Sequence, residues 1–169
     1  DEKLPGGIYV VYLPNQRYFD LLIDKDQHFQ VFVDTANFVS TMEIKGAEQP
    51  RKFNHYQRFI TQRQARAKQI QRQMKQAGPN TQKGQELQAR LQKLNQEVQN
   101  QWDKVIQENP GTMLALFLKG IRDIEVPDFE VREQTENPDS VRQAKRYRYY
   151  REHYFDNMDL TDARILRTP

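Results

Sequence analysis

Cysteine is absent from this 169-residue chain, and its absence removes several classes of chemistry at once. The chain has no disulfide, no thiolate nucleophile and no cysteine-ligated zinc site. The absence does not decide the compartment, because it fits a cytosolic protein as well as an exported one that avoids stray oxidation. At 37% hydrophobic and 11% aromatic residues, the chain can bury a core without a disulfide or a metal.

Long apolar runs are also missing, and no stretch approaches the roughly 20 residues that a membrane-spanning helix needs. An initiator methionine and a visible signal peptide are missing as well. The chain starts at Asp1 and opens almost directly into strand-like sequence. We therefore expect a fragment or a mature product, with further strands preceding Asp1 as one way to complete the sheet.

No catalytic or cofactor pattern stands out. His28, His55 and His153 are far apart and have no partner at a metal-ligand spacing, so we interpret them as surface or partly packed residues. The GPNTQKG segment (Gly78–Gly84) lacks the preceding strand and the closing Lys-Ser/Thr of a phosphate-binding loop. We expect no cofactor and no catalysis from this chain.

Three carboxylates recur every third residue near the end of the chain, at Asp156, Asp159 and Asp162. This spacing could gather a carboxylate cluster. Successive helix caps and first-turn acids explain it more simply, and we prefer that interpretation.

The first 46 residues predict an antiparallel β region. Segments rich in β-branched and aromatic residues cover 7–14, 17–24 and 28–34, and a short fourth strand covers 41–46. Short connections predict a meander, with aspartates in the turn at 24–27 bonding their local backbone. The sheet is small enough to need a covering layer.

Residues 47–169 predict a helical region. Apolar residues at heptad-like spacing indicate two long helices over 48–108, broken by a Gly-Pro pair, which fold back as an antiparallel hairpin. Next comes the most apolar segment, Met113–Ile121, a candidate helix buried between sheet and hairpin. An acidic, proline-bearing loop precedes a last long helix, capped by Asp139 or Ser140. The predicted fold class is therefore α+β: a small antiparallel sheet, a long helical hairpin and shorter helices.

The net charge of +3 is spread unevenly. Residues 47–120 carry thirteen Lys or Arg against five Asp or Glu, whereas both flanking regions are acidic. One face of the first hairpin helix could contact a polyanion, or it could be a solvated face that keeps the glutamine-rich hairpin in solution. Nucleic acid is the disfavoured polyanion, because no recognition motif accompanies the charges. The candidate anion-contacting residues are Arg51, Lys52, Arg58, Arg66, Lys68, Arg72 and Lys75.

The last helix carries tyrosines at i, i+3 and i+7: Tyr147, Tyr150 and Tyr154. Its cations are distributed around the helix and do not share one face. We expect the tyrosines to form a packing stripe with hydroxyls at its edge. The alternative is an aromatic surface for a protein partner, or for a small molecule bound between this helix and the sheet.

Three segments carry a resemblance to a known family: LPGGIYVVYLPNQRYFDLLIDKDQHF near the start, then HYFDNMDL and RILRTP near the end. With the helical hairpin between them, they resemble the uncharacterised N-terminal region of bacterial cell-envelope thioredoxin-like lipoproteins. The resemblance implies export to the periplasm or outer envelope and a neighbouring thioredoxin-like domain. The family's Cys-x-x-Cys pair lies in that other domain, so no catalytic residue carries over to this cysteine-free chain.

From the resemblance and the missing catalytic pattern we expect a non-catalytic accessory or protein-interaction region. Its partner would be the neighbouring thioredoxin-like domain or another envelope protein. A polyanion-binding module or a small-molecule binding domain are the alternatives. The sequence does not predict an oligomeric state.

Overall fold

The computed structural model describes residues 2–34, 36–131 and 137–168. Its first layer is an antiparallel hairpin of β1 (Gly7–Leu13) and β2 (Arg17–Ile23), in the register Gly7 opposite Ile23. A second pair joins β3 (Gln30–Phe32) to β4 (Glu43–Lys45), with the short helix α1 (Phe38–Thr41) between them. The four predicted strands are confirmed, as is antiparallel pairing of the first with the second and of the third with the fourth.

The strands form two separate two-stranded sheets, whereas the sequence predicted one meander. The side chain of Gln27, which follows β2, bonds to the N-terminal segment. Its amide oxygen accepts from Leu4 N at 2.9 Å, and its amide nitrogen donates to Leu4 O at 2.7 Å. The chain between β2 and β3 is thus fastened to the N-terminal segment, and it does not extend the sheet.

Two long helices, α2 (Glu48–Ala77) and α3 (Gln82–Glu108), form the predicted antiparallel hairpin. Gly78, at φ +83°, ends α2, and the Thr81 side chain accepts from Gly84 N at 3.0 Å to start α3. The distal half has its own apolar cluster, centred on buried Ile70, Leu87 and Leu94, and every member of that cluster belongs to α2 or α3. In the seam's polar gap, Arg63 pairs with Glu97 across the helices at 3.3 Å.

The helix α4 (Met113–Gly120) lies in the main core, as its apolar sequence predicts. Met113, Leu114 and Leu118 are fully buried, and they pack with Leu22 of β2 and Phe53 of α2. Because these contacts join strand, hairpin and α4, one apolar cluster fixes their arrangement.

The chain ends in α5 (Pro138–His153) and a 3₁₀ helix (Ala163–Arg167). The residue before α5 is Asn137 in the left-handed conformation, and Pro138 takes the first helical position, so the predicted cap at Asp139 or Ser140 is wrong by a short step. None of the helices in the described chain is both long and apolar enough to cross a membrane.

Candidate partner surface

The tyrosine stripe of α5 is exposed. Tyr147, Tyr150 and Tyr154 are 65%, 41% and 44% exposed, and no residue of α5 is buried. The expectation that these tyrosines pack against the protein is therefore wrong. Two of the rings instead contact each other and the adjacent Phe155: Tyr150 meets Tyr154 edge-on at 5.6 Å, and Tyr154 meets Phe155 at 4.9 Å. With Tyr147 one turn before Tyr150, they form an aromatic surface that faces solvent.

The opposite side of α5 attaches the helix to the protein. Tyr149 packs edge-on against Phe129 at 5.9 Å and lies over the ring of His153 at 4.0 Å. Lys145 Nζ donates to the carbonyl of Glu130 at 3.2 Å. At about 100° per residue, Tyr149 lies roughly 160° around the helix from Tyr147. A single half-buried tyrosine thus makes the packing contact that the sequence analysis assigned to the other three.

Arginine accompanies the exposed tyrosines. The guanidinium of Arg151 lies 5.9 Å from the centre of the Tyr147 ring. Beside it, a cavity of about 640 Å³ has a described lining that includes Ala144, Tyr147, Arg148 and Arg151. All of its described lining residues belong to α5, so this cavity is not the predicted small-molecule site between helix and sheet. Tyrosine and arginine are both enriched among the residues that contribute most of the binding energy at protein interfaces.

Two of the seven candidate anion-contacting residues are occupied within the fold. Lys52 pairs with Glu48 at 2.6 Å and donates to Asn109 Oδ1 at 2.6 Å. Arg58 donates to the carbonyl of Val39 at 2.9 Å and to the carbonyl of Met42. These two cations fasten the start of α2 to its neighbours, and the prediction that they contact an anion stays a prediction. The remaining five are exposed and form no ion pair within the described ranges: Arg51, Arg66, Lys68, Arg72 and Lys75.

Of the three carboxylates near the C terminus, only Asp162 caps a helix: it precedes the 3₁₀ helix and accepts from Arg164 N at 3.0 Å. Asp159 accepts from Thr161 N at 3.1 Å within a turn, and Asp156 lies 2.6 Å from His153 Nδ1. The predicted capping is therefore confirmed for Asp162 alone. Hydrogen bonds from the Arg164 guanidinium and backbone hold the pKa of Asp162 below its usual range, and the same pair raises the pKa of Arg164. Over residues 2–34, 36–131 and 137–168, no three His, Asp or Glu side chains are placed to hold a metal ion.

The sequence did not predict the role of one buried carboxylate, that of Asp24. Asp24 is only 6% exposed, and its Oδ2 accepts from Met113 N at 2.8 Å, so it caps α4 together with Thr112. Its Oδ1 lies 3.6 Å from Arg164 Nη1. The sequence predicted local turn bonding for Asp24. The one sequence feature that indicates a longer-range contact is the position of Asp24 directly after the apolar residues Leu22 and Ile23.

Comparison with known proteins adds no relative: no family model, no curated protein and no solved structure matches the chain. The resemblance to thioredoxin-like envelope proteins therefore stays a prediction. Two of the segments that carry it do contact each other, since Gly6 and Gly7 lie against the side chains of Arg164 and Arg167.

Proposed function

We propose that this chain is a non-catalytic protein-interaction region whose partner binds the exposed aromatic surface of α5. The observation that carries the proposal is the exposure of Tyr147, Tyr150, Tyr154 and Phe155 along α5, a helix without a buried residue, and the turn that follows it. A tyrosine offers a large contact area at a low cost in side-chain entropy, and its hydroxyl tolerates water in the free state.

Charge supports a protein partner over a small molecule. Arg148 and Arg151 border the tyrosines on one side of α5, and Glu152 lies among them. A mixed rim of cations and an anion around an aromatic centre is the arrangement that protein interfaces use. The described lining of the adjacent cavity comes from α5 alone, and a surface on one helix suits a groove or sheet edge on a partner better than it suits enclosure of a ligand.

The resemblance supplies the proposed setting. In that setting the partner is a neighbouring thioredoxin-like domain or another protein of the bacterial envelope, and this chain acts as an accessory region. Fractionation of cells that carry the tagged protein tests the setting on its own. Recovery from the cytosol would remove the envelope part of the proposal and leave the α5 surface in place.

Site-specific photo-crosslinking tests the surface itself. A benzophenone side chain placed at Tyr150 is expected to capture a protein in cells of the source organism. The same side chain at Tyr12, a more accessible tyrosine at 74% exposure on the β1–β2 hairpin, is the control. No adduct at Tyr150, or the same adducts at both positions, would contradict the proposal.

A further inference from the structure

A second surface lies on the distal half of the helical hairpin, away from α5. Among the residues that the structure describes, the apolar cluster in this half contains only residues of the two hairpin helices. A two-helix pair leaves both edges of its seam open, and the seam residues Met74 and Leu91 are only partly buried. This edge can accept a third helix by the same knobs-into-holes packing that joins the first two.

One edge of the seam forms a groove of about 440 Å³. Met74 and Leu91 form its apolar floor, and its polar lining is Lys68, Gln71, Arg72 and Lys75. At about 100° per residue, the three cations fall within an arc of roughly 60° on α2. They are exposed, and none of them forms an ion pair in the part of the chain that the structure describes.

The charge around this groove selects its occupant. Residues 63–93 carry eight Lys or Arg and a single acid, Glu86. A second copy of the same hairpin would bring two strongly basic surfaces together, which disfavours self-association at this edge. A pure polyanion would meet the cations but would leave the apolar floor of Met74 and Leu91 unused.

We infer that this groove binds an acidic amphipathic helix of a partner protein, with apolar residues on the seam and carboxylates paired to Lys68, Arg72 and Lys75. Such a helix completes a three-helix arrangement, buries the exposed parts of Met74 and Leu91 and neutralises the cations at the rim. The inference does not depend on α5, because the two surfaces share no residue.

A synthetic helical peptide of about 20 residues tests the inference, with leucine at heptad positions a and d and glutamate beside them. We expect it to bind the full chain, and we expect the same peptide with glutamine replacing glutamate to bind about tenfold more weakly. Raising the salt concentration should lower the affinity of the glutamate peptide more than that of the glutamine peptide, because salt screens the paired charges.

A matched pair of triple variants locates the site. Lys68→Gln, Arg72→Gln and Lys75→Gln remove three charges from the groove, and we expect about tenfold weaker binding. The control removes three equally exposed charges, at Arg66, Arg90 and Lys93, from the edge that holds the Arg63–Glu97 pair. The control should change the affinity by less than about threefold.

Other results overturn the inference in distinguishable ways. Equal losses of affinity in both triple variants would show that the peptide responds to the overall positive charge of the hairpin and not to the groove. Binding of heparin, single-stranded DNA or anionic phospholipid vesicles without binding of the acidic peptide would assign the cations to polyanions. We expect Tyr147→Ser, Tyr150→Ser and Tyr154→Ser together to leave peptide binding unchanged. Loss of binding in that variant would show that the peptide binds α5 and not the groove.

Discussion

Asp24 accepts a hydrogen bond from the backbone N–H of Met113 at 2.8 Å, across 89 residues of sequence. Through this bond the end of β2 caps the N-terminus of α4, where the helix dipole favours a negative charge. Arg164 approaches the other carboxylate oxygen at 3.6 Å, so the C-terminal 3₁₀ helix closes over the same point. Asp24 therefore links the end of β2 to both α4 and the C-terminal 3₁₀ helix.

Removing that carboxylate should destabilise the whole protein. We expect Asp24→Ala to lower the free energy of unfolding by about 2–3 kcal/mol, because it removes a buried cap and an ionic partner of Arg164. Urea denaturation followed by circular dichroism measures the change. Asp26→Ala, at an exposed position two residues further on, should cost less than about 0.5 kcal/mol. Equal costs for the two variants would show that the cap contributes nothing.

The pair of Asp162 and Arg164 predicts a dependence of stability on pH. Hydrogen bonds from Arg164 hold the pKa of Asp162 below its usual range in the folded state. The ionised carboxylate therefore stabilises the fold at pH values above about 4, the unfolded value for Asp, and that contribution is lost as the pH falls through the lower folded pKa.

Asp162→Asn should accordingly be less stable than the unmodified protein at neutral pH, and the difference should shrink below about pH 4. Thermal melts across the acid range measure it, and Asp128→Asn, at an exposed position in the acidic loop, serves as the control. A difference that stays constant with pH would contradict an electrostatic origin.

At Gly84, in the first turn of α3, we expect a glycine-to-alanine change to lower stability, which is the opposite of its usual effect in a helix. Alanine normally stabilises a helix relative to glycine by about 1 kcal/mol. Here a Cβ would lie 2.2 Å from the carbonyl oxygen of Gly78, which is backbone and has little room to move.

We expect Gly84→Ala to destabilise the protein by about 2 kcal/mol, measured by thermal or chemical denaturation. The matched change is Gly120→Ala at the end of α4, where the nearest atom to an added Cβ is Met158 Cγ at 3.7 Å, an ordinary contact. That variant should keep or slightly raise the melting temperature. A stabilised Gly84→Ala would mean that the turn relaxes freely.

The long hairpin followed from the sequence because its signal is local and repetitive. Phe53, Ile70, Leu87 and Leu94 recur at heptad-like spacing, and all four are buried in the structure. The one polar position in the apolar seam of α2, Arg63, forms an ion pair with Glu97 of α3. Patterns of this kind need no knowledge of what lies across the fold.

The separation of the sheets did not follow from the sequence. After β2 the side chain of Gln27 bonds to Leu4, 23 residues away, and a side-chain amide in a turn gives no periodic signal. The long reach of Asp24 to Met113 is invisible for the same reason. Contacts between distant residues are set by tertiary packing, which overrides local turn preference.

The tyrosine stripe shows a different limit. Spacing established that Tyr147, Tyr150 and Tyr154 share one face of α5, and the helix confirms it. Spacing cannot tell which face of a helix the protein covers, and here the covered side belongs to Tyr149. The same three residues consequently changed from core candidates to the centre of the proposed partner surface.

The affinity of a partner captured at Tyr150 tests that surface most directly. Tyr147→Ser, Tyr150→Ser and Tyr154→Ser together should weaken binding at least tenfold, because aromatic anchors carry most of an interface's energy. Stability should change by less than about 1 kcal/mol, since the rings are exposed and serine and tyrosine have similar helix propensities. Tyr12→Ser with Tyr18→Ser removes two other exposed tyrosines and should leave the affinity unchanged. An unchanged affinity in the α5 variant, or an equal loss in both variants, would contradict the account.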